Sequence, residues 1–152
     1  MFDNEIDEIK TKYELNDIEI LQLSMSVDKS CCMNCGGKCY IIIDTDKINS
    51  VAELKSTLLH EAGHIKENAM YHSSCTLNDI RHNEFLAIRW AVRNCVPFDK
   101  YIDAIRDGVR DVYQLAERFN ITIESAIKIA DYYESQVIEY IKLAHQRGRA
   151  TV

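Results

Sequence analysis

The apolar residues of this chain pass from a two-residue to a 3.6-residue period at Asp44-Thr45-Asp46, and that change decides most of what the chain can fold into. Ahead of it, Leu21, Leu23, Met25 and Val27 alternate with Gln22, Ser24, Ser26 and Asp28, the two-residue period of a half-buried strand. Cys39-Tyr40-Ile41-Ile42-Ile43 is β-branched enough for a second strand, with Gly36-Gly37 as the bend before it. Ile18 and Ile20 are out of phase with the alternation, so the start of the first strand stays open. Phe2, Ile6, Ile9 and Tyr13 recur at helical spacing in front of a turn at Asn16-Asp17. The expectation is an α+β fold, mostly helical, with a small antiparallel sheet near the N-terminus packed against the first helix behind Asp46.

That helix begins with a capping-box signature, Ser50 followed by Glu53, and carries Leu54, Leu58, Ala62 and Ile65 on one face to about Glu67. A second helix reads from about Leu77 to Asn94 with Ile80, Ala87, Trp90 and Ala91 inward, and stops near Pro97. Phe98 to Asp107, Val112 to Phe119, and Glu124 to about Leu143 complete the chain, with Ile127, Ile129, Ala130, Tyr133, Val137 and Ile141 on the last inner face. There is no repeat and no linker-like tract, so residues 1–152 read as a single domain whose C-terminal helical part covers about 98–145.

Charge narrows the function classes. Eighteen Lys and Arg against 24 Asp and Glu leave a net charge of −6 with no basic stripe, which argues against direct nucleic-acid binding. The longest uninterrupted apolar run, Cys39 to Ile43, is far short of a membrane span, and Asp3, Glu5, Asp7 and Glu8 stand where a signal peptide would be basic. The expected location is the cytoplasm, and there the six cysteines stay reduced.

Chemistry concentrates in His60-Glu61-Ala62-Gly63-His64. Histidines four apart on a helix share a face about 6 Å apart along the axis, so both imidazoles can bind one metal ion. Glu61 lies on the flank, where it can act as general base toward a water at the metal. Gly63 costs a helix about 1 kcal/mol relative to Ala, and implies that another element passes close by. A catalytic zinc site needs a third protein ligand. The downstream candidates are His72, Asp79, His82 and Glu84, of which Glu84 is favoured because it precedes Ala87 and Ile88 by one helical turn and can face the first helix. Tyr71 and His72 could place a hydrogen-bond donor near a developing oxyanion.

Three pieces in order resemble the ImmA/IrrE metallopeptidases: Leu58-Leu59-His60-Glu61-Ala62-Gly63-His64; Asn83-Glu84 with Ala87, Trp90-Ala91 and Val96-Pro97-Phe98; and Val112-Tyr113-Gln114-Leu115-Ala116-Glu117-Arg118-Phe119-Asn120-Ile121-Thr122. The resemblance implies a zinc-dependent endopeptidase, with Zn²⁺ on His60, His64 and Glu84 and Glu61 as the catalytic base. It further implies a protein substrate, a helix-turn-helix repressor from an adjacent gene whose cleavage derepresses a mobile element. The alternative is a non-catalytic regulator that binds a repressor or DNA through its C-terminal helices.

One segment departs from that pattern. Cys31, Cys32, Cys35 and Cys39 cluster, and Cys32, Cys35 and Cys39 resemble part of a zinc knuckle with Cys75 as a distant fourth thiol, but the second C-x-x-C pair is missing and the favoured reading is structural thiols around a turn. Leu115 to Thr122 has the outline of half a helix-turn-helix. The helix behind it offers Glu124, Lys128 and Asp131 rather than a basic face, which favours packing or partner docking.

Overall fold

The structure is a computed structural model and describes residues 2–148. Helix α1 (Asp3–Lys12) leads into a three-stranded sheet of β1 (Ile18–Gln22), β2 (Ser30–Cys35) and β3 (Lys38–Ile43), followed by helices α2 (Val51–Lys66), α3 (Leu77–Cys95), α4 (Phe98–Arg106), α5 (Val112–Phe119) and α6 (Ile123–Gln146). The fold is therefore α+β and mostly helical, with the sheet ahead of the helix that carries His60 and His64. No helix among the described residues is long and apolar enough to cross a membrane.

The sheet departs from the purely antiparallel expectation. Its order is β1-β3-β2, with β2 antiparallel to β3 and β1 parallel to it, Ile18 standing opposite Cys39 and Gln22 opposite Ile43. The first strand is also earlier than the alternation of Leu21 to Val27 suggests. Leu23 and Val27 are 53% and 82% exposed, and the backbone from Met25 to Asp28 is held by side chains instead of a ladder. Asp44 accepts from the Met25 N–H at 2.9 Å, and the Lys47 ammonium is bonded to the carbonyls of Met25 and Asp28, the latter at 3.1 Å. β2 carries no β-branched residue and forms through its partner. Gly36 and Gly37, at φ +61° and +80°, make the two-residue turn that joins β2 to β3. The clustered cysteines are thus strand residues on a hairpin.

Two apolar clusters flank α2 and α3. Phe2 with Ile6 and Ile9 of α1, Ile18, Ile41 and Ile43 of the sheet, and Leu54, Leu58 and Ala62 of α2 form the first. Val92 and Val96 join Ala104, Leu115, Ile121, Ala126, Ile129 and Tyr133 in the second. Between them, α2 and α3 touch at Gly63, where a Cβ would lie 3.0 Å from the Cα of Ala87 and closer still to its carbonyl oxygen, the close passage implied by a glycine in a helix. Ile80 and Ile127, read as inward from spacing, are instead 37% and 44% exposed.

The caps are also informative. Ser50 Oγ accepts from the Glu53 N–H at 3.1 Å, but the Glu53 carboxylate reaches the Asn49 N–H at 2.9 Å, so the box is closed one residue upstream. The full capping box belongs to α3, where Thr76 and Asp79 bond reciprocally. The buried Lys55 donates to the Phe119 carbonyl at 2.6 Å, placing an ammonium on the C-terminal end of α5 and tying α2 to the C-terminal helices. Asn120, at φ +48°, turns the chain from α5 into α6.

Candidate metal centre

His60 and His64 project from one face of α2, and Glu84 meets them from α3. Their donor atoms lie within 4.8 Å of one another, the one group of metal-ligating side chains found among the described residues. His60 Nε2 stands 3.2 Å from His64 Nε2 and 3.4 Å from Glu84 Oε2, and His64 Nε2 stands 3.3 Å from Glu84 Oε1. Zinc–ligand bonds of about 2.0–2.1 Å at tetrahedral angles put neighbouring donors about 3.4 Å apart, so the three separations fit the edges of one tetrahedral face.

The surroundings set each donor. His64 Nδ1 lies 2.8 Å from the Ala69 carbonyl, to which it donates, so its lone pair is on Nε2. The chain can turn back to make this contact because Asn68 is left-handed, at φ +51°, just beyond the end of α2. Burial pushes His60 below the ordinary imidazole range even against the pull of Glu84, which keeps it neutral as a ligand must be. Tyr71 donates its hydroxyl to Glu84 Oε1 and is itself driven up by burial and by that carboxylate. The hydroxyl therefore braces the Glu84 carboxylate.

Glu61, 9% exposed, points toward the sheet. Ser30 Oγ donates to its Oε1 at 2.8 Å, and the Cys32 thiol adjoins the same carboxylate. Burial first, and Glu61 second, push that thiol far up, so it stays protonated; Cys31 shifts the same way for the same reasons. All six cysteines are free, and Cys31, Cys32, Cys35, Cys39 and Cys75 form no second metal group among the described residues.

The other candidates are occupied elsewhere. Asp79 is held in the α3 cap, where the Thr76 N–H and hydroxyl keep its carboxyl below the usual range. His72 pairs with Ser74 at 2.7 Å, and His82 is exposed. A groove of about 430 Å³ opens beside His60 and Glu84, walled by α2, α3 and the first turns of α6, with Lys29 and Ser30 at its rim. Spacing had not revealed Ser30 or the α6 wall. Thr122, Glu124, Ser125 and Lys128, on the segment outlined as a half helix-turn-helix, face this groove.

A helix bearing two imidazoles and a flanking carboxylate, completed by a second carboxylate from a neighbouring helix, has the build of a metallopeptidase centre. Residues 35–129, which is 95 of 152, match the family model of the IrrE N-terminal-like domain, and the chain belongs to that peptidase family. No curated protein and no solved structure matches it.

Proposed function

We propose that the chain works as one domain, a zinc-dependent endopeptidase of the cytoplasm, whose substrate is a helix-turn-helix repressor encoded beside it. One observation carries the catalytic part: the Glu61 carboxylate, held by Ser30, flanks a donor triangle of His60, His64 and Glu84 whose edges suit zinc. Zinc on those residues would polarise the scissile carbonyl and acidify the attacking water.

The chain's own groups supply the proton traffic. Glu61 takes a proton as the water oxygen bonds to the carbonyl carbon, and returns it to the amine nitrogen as the C–N bond breaks. Ser30 and the Cys32 thiol hold that carboxylate in place for the transfer. A site that only stabilised the fold would have no use for such a base. The sheet supports a peptide substrate as well. Among the described residues, β2 has β3 as its one strand neighbour. The Asp44 N–H donates to the Lys29 carbonyl at 2.8 Å, so ladder alternation turns the main-chain groups of Ser30 and Cys32 to the free edge beside Glu61. An extended segment can pair there.

The repressor rests on the family resemblance, and co-expression tests it. With the adjacent-gene repressor as partner, blotting is expected to show loss of the full-length repressor with the native chain and its survival with Glu61→Gln. Repressor inactivated without cleavage in both cases would replace the peptidase with a sequestering regulator.

A further inference from the structure

We infer that the groove beside His60 and Glu84 is a side-chain pocket that selects an aliphatic or other uncharged apolar residue next to the cleaved bond, with Ile88 and Ala91 setting its size. The inference rests on the peptidase reading and adds the substrate's side-chain chemistry to it.

The helices define the groove's reach. Glu53, Ser56, Thr57 and His60 recur at one-turn spacing on α2 and all line it. The seven helical steps from His60 back to Glu53 span about 10 Å, room for about three residues of extended peptide leading away from the candidate metal ligands. On the facing side Glu84 is followed by Ile88, Ala91 and Val92, and α6 closes the third wall with Ile129. Leu59, Val92 and Ile129 are buried behind the surface, whereas Ile88 and Ala91 are half-buried. With Cys95, which is also half-buried there, they are the apolar lining side chains with area left to cover, and of the three they are the ones that follow Glu84 most closely along α3.

Charge discriminates against the alternatives. Lys29 is bound to Glu53 at 2.8 Å and Lys128 to Glu124 at 2.9 Å, and all four residues line the groove. Each ammonium already has its carboxylate. A charged substrate side chain would have to break one of these pairs, while an apolar one covers the α3 wall and leaves both intact. Burying a Leu-sized side chain there corresponds to a preference of about 10- to 100-fold over Gly.

The test uses the full zinc-loaded chain and two probes. One is a mixture of defined peptides with cleavage sites read by mass spectrometry. The other is a pair of peptide hydroxamates differing only in an isobutyl group against hydrogen, with Kd measured by calorimetry. Cleavage beside Leu, Ile, Val, Met or Phe should exceed cleavage beside Gly or Asp by about 10- to 100-fold, and the isobutyl hydroxamate should bind more tightly by a like factor. Ala91→Trp should shift both preferences to small residues with zinc content and circular dichroism unchanged. Ile88→Ala should shift them to larger aromatic residues, which keeps the test decisive if the Trp variant does not fold. A preference for charged residues, or selectivity unchanged in the folded variants, overturns the inference. Cleavage without side-chain discrimination overturns the pocket and leaves the peptidase standing. Isobutyl discrimination without cleavage does the reverse, and the absence of both removes the two together.

Discussion

Ser30 Oγ stands 2.8 Å from Glu61 Oε1, across 31 residues of sequence, so an edge strand of the sheet aims the carboxylate of the helix that carries His60 and His64. Ser30→Ala is expected to retain zinc and to lower kcat by about tenfold, the order of one lost hydrogen bond to a charged group. KM on a peptide substrate should move little. Retained kcat would mean that packing alone orients Glu61.

Glu61→Gln keeps the hydrogen bond to Ser30 but removes the proton acceptor. Peptide hydrolysis should fall by about 10²- to 10⁴-fold with zinc bound at the native stoichiometry. Loss of zinc in this variant would assign Glu61 to the ligand set instead of the base.

About one zinc per chain is expected by metal analysis. His60→Ala and Glu84→Ala should each bind it much more weakly. Chelation should lower the thermal midpoint of the native chain, since a ligand at 100 to 1,000 times its Kd stabilises by about 3–4 kcal/mol. An unchanged midpoint in chelator would show that the folded chain holds no metal.

Gly63→Ala should destabilise the fold by about 1–3 kcal/mol, because the added methyl meets the Ala87 backbone. The sign matters, since helix propensity by itself favours Ala by about 1 kcal/mol. Urea unfolding of the variant decides between the two, and greater stability would show that α3 gives way.

The Asp44 carboxyl lies below its ordinary value of 3.8, held first by the Met25 N–H and further by Asp46 and Lys47. A carboxylate with a depressed folded value stabilises fully above the unfolded value, and that stability is lost as pH falls through the folded one. The native chain should lose part of its urea resistance as pH drops from about 4 toward 2. Asp44→Asn should be weaker at neutral pH and flatter over that interval; parallel curves would remove Asp44 as a contributor.

What could be read from the sequence follows from how local each determinant is. His60, Glu61 and His64 were legible because helical spacing alone puts them together, and Gly63 because its cost in a helix needs a reason. Glu84 was legible once a second helix was placed. Ser30 was not, because β2 is a polar, cysteine-rich strand with no alternation of its own and forms only through pairing with β3. The true first strand was masked because it is only five residues long and half-buried with no clear alternation, while the exposed Leu23 and Val27 extended a two-residue period beyond its end. Asp79 looked like a metal donor although Thr76, three residues earlier, marks it as a cap. The α6 wall depends on the packing of helices distant in sequence, which no local pattern carries.

The doubled contact between His64 and Ala69 bears on the order in which the centre is assembled. The Ala69 N–H closes onto the His64 carbonyl at 2.7 Å while the His64 ring reaches the Ala69 carbonyl at 2.8 Å, so the helix end and the imidazole are set by the same local loop. Two of the three donors are thus prepared within a ten-residue stretch, and the third arrives only with α3. On the proposed reading, metal affinity would gauge how completely α3 has docked: a substitution at the α2–α3 contact far from every donor atom should register first as weaker metal binding.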